Sequence, residues 1–166
     1  MKIILWIVFI FLLFVMRYQG SILSASGAGI VSLEFANQIV GIEILQSWAN
    51  IQYGDINLLQ LATINTKWDF AFIISYVILV ITMSNWQMQR EHWFPLNELL
   101  RLNLFTMSIA GILDIIENFR LLHNFHHIHS SADYWSTQYI ASIKFILVGF
   151  SILIFLTSWI KSHLVK

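Results

Sequence analysis

The sequence predicts an all-α integral membrane protein: a four-helix bundle with one further amphipathic or re-entrant helix between the first and second spans. Three observations carry that prediction. Apolar residues make up 58% of the 166 and charged residues only 11%, against about 25% charged in a soluble domain. The mean hydropathy is +0.72, more apolar surface than a soluble chain of this size can hide. The apolar residues also gather in runs close to the ~20 residues that a hydrocarbon core of ~30 Å requires. The length suits a single transmembrane domain over residues 1–166.

The first run covers residues 3–16 and extends to about 2–20 when Lys2 and Arg17 snorkel from its ends. With Lys2 before it and Ser24, Ala25 and Ser26 after it, the run imitates a signal peptide. Arg17 and Tyr18 separate it from those small residues, so an uncleaved span is expected. The second span is about 68–86, the third about 98–122 and the fourth about 134–159. Residues 30–48 have near-span length but carry Glu34, Asn37, Gln38, Glu43 and Gln46. A carboxylate at mid-bilayer costs about 2.5–3.5 kcal/mol on the insertion scale. That segment is therefore expected at the interface or folded back against the bundle, after a Ser- and Gly-rich bend over 20–29. Pro95, the single proline, stands where the third helix would start. Gly27, Gly29, Ala110 and Gly111 are small-residue spots suited to close helix approach.

Lys2, Arg90, Arg101, Lys161 and Lys166 fall on one side of this topology, and Arg17, Lys67 and Arg120 on the other. The excess predicts both termini in the cytoplasm, as in a bacterial inner membrane. Trp86, Trp93 and Trp159 would mark the inner interface, Trp68 and Trp135 the outer. Nine Lys and Arg balance nine Asp and Glu with no basic run, so nucleic acid is excluded as a partner. The expected surroundings are lipid, with a lipid-like or cationic ligand, further copies of the chain or a membrane complex as candidate partners. The absence of cysteine excludes disulfides, thiolate nucleophiles and Cys-ligated metals. There is no GxSxG, P-loop or GxGxxG motif, and no internal repeat of the kind that builds transporters. No cofactor is identified.

The ionisable residues in or beside the spans converge. At about 1.5 Å per residue, Asp114, eight residues before Leu122, lies some 12 Å from the outer end of span three. Lys144 lies near 15 Å in span four, while Asp69 sits one residue inside span two. Asp114, Glu117 and Asn118 stand at i, i+3 and i+4 on one helix face. Charged faces in spans turn towards the bundle interior or a wet cavity. Glu34, Asp69, Asp114, Glu117, Asn118 and Lys144 are thus expected to line an acidic cavity in the outer half, with Asp114 and Lys144 paired. Four carboxylates against the two cations Lys144 and Arg120 leave excess negative charge, which requires protonation or a bound cation. Structural ion pairing between helices is the plainer alternative.

His123, His126, His127 and His129 crowd the loop after span three. On a helix His123 and His127 would sit at i and i+4, a spacing that can ligate zinc, with Glu117 one turn away. Solvated imidazoles at the interface are the alternative, and no HExxH sharpens the metal reading.

The series Ser32-Leu33-Glu34-Phe35-Ala36, Trp48, Asp69-Phe70-Ala71-Phe72 with Tyr76, Asp114 to Asn118 and Lys144-Phe145 resembles a loose set of small four-span bacterial membrane proteins. The resemblance runs from about Gly27 to Phe145 and implies the four-span fold, but no activity, cofactor or catalytic residue. In architecture alone the chain is also similar to the emopamil-binding sterol-isomerase family, small helical bundles with acidic residues in their spans, though none of that family's motifs aligns here.

Three functions follow. The chain binds or conducts a cation, proton or amphipathic small molecule in the acidic cavity. Alternatively it is a membrane enzyme on a lipid-soluble substrate, with Asp114 or Glu117 as general acid or base and Lys144 orienting it. The third is a non-catalytic subunit of a larger membrane complex.

Overall fold

The computed structural model describes residues 2–128 and 134–164. Its elements in order are α1 (Lys2–Ser24), α2 (Ile30–Glu34), α3 (Gln38–Asn50), a two-stranded hairpin of β1 (Gln52–Tyr53) and β2 (Ile56–Asn57), α4 (Leu58–Met88), α5 (Phe94–His126) and α6 (Tyr134–Leu164). Four helices are long and apolar enough to cross a membrane: α1, α4, α5 and the stretch Thr137–Ser162 of α6.

Local chemistry sets the boundaries. Asn57 and Gln60 form a reciprocal capping box, Gln60 N–H donating to Asn57 Oδ1 at 2.8 Å and Asn57 N–H to Gln60 Oε1 at 3.0 Å, which starts α4 at Leu58. The sequence places the start of the second span ten residues later, at Trp68. The extra turns form because Leu58, Leu61 and Ala62 are buried against Leu45 and Trp48 of α3. Trp68 accordingly lies well inside α4 rather than at its end, and the Trp135 side chain lies outside the described residues. The hairpin turns on Gly54, whose φ of +62° suits the first central position of a two-residue loop.

Residues 30–48 do not form one helix. The chain breaks after Glu34, and Asn37 restarts it by accepting the Val40 N–H at 3.0 Å. Both pieces pack against the long helices, α3 on α4 and α2 on α6. Trp48 is fully buried and donates its indole N–H to Ser26 Oγ at 2.9 Å. Glu43 and Gln46 stay exposed, while Glu34 is buried.

The long helices pack in chain order, α1 on α4, α4 on α5 and α5 on α6. Gly111 permits the α4–α5 approach, since a Cβ there would meet Val77 Cγ2 at 2.6 Å. On α6, Thr137, Lys144, Ser151 and Ser158 are all buried and recur every seventh residue, as do Asn103, Ala110, Glu117 and Asn124 on α5. Asn103 Nδ2 donates to the Ser151 carbonyl and to Ser84 Oγ, both at 3.1 Å. The N-terminal end of α1 meets the C-terminal end of α4, where Lys2 lies 4.0 Å from the Trp86 ring centroid. Lys161 of α6 reaches Glu91 and Trp93 in the same neighbourhood. The N-terminal end of α1 and the C-terminal part of α6 therefore lie at one end of the bundle.

Candidate functional site

Counted from that end, Asp69 lies 19 residues before Met88, Asp114 20 after Phe94 and Lys144 20 before Leu164. All three share one level, roughly 30 Å along the bundle at 1.5 Å per residue. The agreement in depth between Asp114 and Lys144 expected from the sequence is present. Asp69, expected one residue inside span two, stands well inside α4 because that helix begins at Leu58.

Lys144 is the hub. Its ammonium donates to Asp114 Oδ1 at 2.9 Å and Glu34 Oε2 at 3.4 Å, and it forms an ion pair with Glu117 Oε2. The expected Asp114–Lys144 pair is thus one arm of a larger cluster, to which α2 adds Glu34. Asp114 spends its other oxygen on the Tyr76 hydroxyl, which donates to Oδ2 at 2.6 Å. Asn118 donates to Asp69 Oδ2 at 2.8 Å. Glu34, Asp114, Glu117, Asn118 and Lys144 are all buried, with Asp69 half-buried beside them. All six cavity residues predicted from the sequence are therefore brought together.

An ammonium has three N–H donors, and here three carboxylates claim them. One cation faces three carboxylates in contact and a fourth, Asp69, nearby. Fixed charges this far from water are costly unless matched. The surplus carboxyls must carry protons or face a further cation.

Beside the cluster is a cavity of about 1050 Å³, lined by α1, α2, α4, α5 and α6; α1 and α6 are not a packed pair. Trp6, Phe9 and Leu13 form one wall and Val148, Ile152 and Phe155 the other, while α2 roofs the polar end. Asp69, Tyr76, Asp114, Asn118, Lys144 and Glu34 all reach the cavity; Glu117 lies behind Lys144. Thr66 and Tyr76 are among the lining residues that sequence reasoning missed. Their signal was available: they stand three residues before and seven after Asp69, on the same face of a helix.

The histidines differ from expectation. His123 and His126 belong to the last turns of α5, and His129 lies outside the described residues. The His123 and His127 rings stack with centroids 4.3 Å apart. His127 Nδ1 donates to the His123 carbonyl at 2.9 Å. Glu117, the carboxylate that would complete a zinc site with them, is committed to Lys144 instead. Among the described residues, no group of three or more His, Asp or Glu is placed to hold a metal ion.

Against protein-family models, curated proteins and solved structures the chain finds no match, and the site is read from its own geometry.

Proposed function

We propose that this multi-pass membrane protein takes an amphipathic small molecule sideways out of the bilayer, through the gap between α1 and α6, and holds its polar end at the Lys144 cluster. One observation carries the reading: a single cavity joins a long apolar cleft, with walls on two helices, to a buried polar end. Ligand sites of several hundred to a thousand Å³ are mostly apolar, with a few fixed polar groups that set orientation, and this cavity has that composition. Intramembrane ionisable residues are expensive to maintain and mark functional sites by default. Binding, rather than conduction, is favoured because the cavity is roofed by α2. The Lys and Arg distribution supports cytoplasmic termini, with the polar end towards the opposite face.

Native mass spectrometry of the purified protein tests the binding. The wild-type chain should retain an amphipathic mass that Val148→Trp, which narrows the cleft, expels. A wild-type protein that carries no such mass and takes up none from supplied lipid extract would overturn the reading. Topology is tested in the thiol-free chain by single cysteines at Gln89 and Asp55. An impermeant maleimide should label them from opposite sides, Gln89 from the cytoplasm, and labelling from the same side would refute the arrangement.

A further inference from the structure

We infer that the polar end of this ligand is a protonated amine, seated on Asp69 and Thr66. The inference rests on the lateral-binding reading and adds the chemistry of the head group. The ammonium and phenol donors of the cluster are already used. Lys144 serves Glu34, Asp114 and Glu117, Tyr76 serves Asp114, and Asn118 serves Asp69. An anionic head there would face four carboxylates around one ammonium. Acceptors, by contrast, remain. Among the described residues Asp69 takes one hydrogen bond, on Oδ2, although a carboxylate can accept about four. Thr66, one helical turn away on α4, lines the same cavity, is 2% exposed, and its Oγ1 has no hydrogen-bond partner among the described residues. An orphaned hydroxyl at that depth is costly unless something occupies the cavity beside it.

The surroundings complete a cation site. Phe72 and Tyr76 follow Asp69 on the same face of α4, with ring centroids 5.5 Å apart, and Phe9 of α1 stacks on Phe72 at 5.5 Å. Aromatic faces beside a carboxylate attract a desolvated ammonium. An ammonium here would donate to Asp69 and Thr66 and supply the positive charge that the cluster lacks. From Asp69 the cleft continues along α4 past Leu79 and Val80 to Met83, about 21 Å at 1.5 Å per residue, which suits a long alkyl or similar apolar body.

The test uses radiolabelled hexadecylamine, 1-hexadecanol and hexadecanoic acid on the whole protein in phosphatidylcholine nanodiscs at pH 7. A charge-assisted hydrogen bond contributes about 1.5–3 kcal/mol, so the amine should bind at least about tenfold more tightly than the alcohol. Asp69→Asn should reduce the amine to the alcohol's affinity and leave the alcohol unchanged, which also shows that the cavity still forms. Thr66→Val should weaken the amine a few-fold. Equal binding of amine and alcohol, both expelled by Val148→Trp, would overturn the head-group assignment and leave lateral binding standing. Preferential binding of the acid would overturn the charge. Binding of none of the three, or binding indifferent to Val148→Trp, would bring down the lateral reading and this inference together.

Discussion

Two lysines of α6 meet carboxylates inside the bundle, and the fold treats them in opposite ways. Lys161, near the chain ends, has one partner: its ammonium donates to Glu91 Oε1 at 2.6 Å and remains a third exposed. Glu91 also accepts the Trp93 N–H at 2.9 Å and the Ser158 hydroxyl at 3.4 Å. Burial pushes the Glu91 carboxyl up, but the hydrogen bonds from Lys161, Trp93 and Ser158 prevail and hold it below the ordinary carboxylate range. That pair is balanced, and its work is to fasten the end of α6 to the loop between α4 and α5. Lys144 is buried and faces three carboxylates, with a fourth beside them. Fastening helices needs one partner per cation, as Lys161 demonstrates. The additional carboxyls at Lys144 go beyond that one-to-one pairing.

The largest expected effect tests the hub. Lys144→Met leaves three carboxylates without their common cation and should cost about 3–5 kcal/mol before protonation relieves it, read as thermal unfolding in detergent. Asp114→Asn should cost clearly less, because Lys144 keeps Glu34 and Glu117. Adding Glu117→Gln to Lys144→Met should restore part of the loss. Equal losses for Lys144→Met and Asp114→Asn would reduce the cluster to a simple pair and end the contrast with Lys161.

Gly111→Ala lies between the extremes. Val77 must yield to the new methyl, an overpacking cost of about 1–3 kcal/mol that should appear in stability whatever the ligand. At the balanced pair, Glu91→Gln should cost about 1 kcal/mol or less, since Lys161 is partly solvated. Its pH dependence sharpens the comparison. A carboxyl held low in the folded state stabilises at neutral pH and loses that contribution as the pH falls below the ordinary carboxyl value of 4.5 through its lowered folded value. The stability gap between wild type and Glu91→Gln should therefore be constant near neutrality and close in acid; a gap that widened in acid would contradict the assignment. The smallest effect belongs to the histidines. His123→Gln with His127→Gln should leave folding unchanged and remove no stoichiometric zinc or iron on elemental analysis.

Much of this site was legible because depth in a helix is a count of residues. Asp114, Glu117 and Asn118 declare a shared face by spacing alone, and the need to pair a buried charge nominates Lys144. What hydropathy could not express was where α4 begins. Residues 58–67 include Asn65, Thr66 and Lys67 and read as too polar for a span, yet Leu58, Leu61 and Ala62 find apolar cover under α3. That cover depends on contacts between segments distant in sequence, as does the descent of Glu34 onto Lys144. The break between α2 and α3 had a local sign in Asn37, a good helix N-cap, which the overall amphipathic pattern of 30–48 masked. Tyr76 and Thr66 carry no charge near neutral pH and, unlike Asn118, do not stand within a turn of two carboxylates, so only their spacing from Asp69 singles them out.

The seven-residue recurrence of Thr137, Lys144, Ser151 and Ser158 bears on how the bundle is assembled. A repeat of that kind, facing its counterpart on α5, is degenerate: α6 displaced by one repeat, about 10.5 Å, would again set small polar groups against the α5 stripe. Hydroxyls alone tolerate such slippage, because one serine substitutes for another. Lys144 removes the degeneracy. Shifted by one repeat, it would face Ala110 or Asn124 in place of Glu117, and the penalty for an unmatched ammonium would expel the misaligned state. The same charge would thus also act as an index mark, fixing the register in which α6 docks on α5.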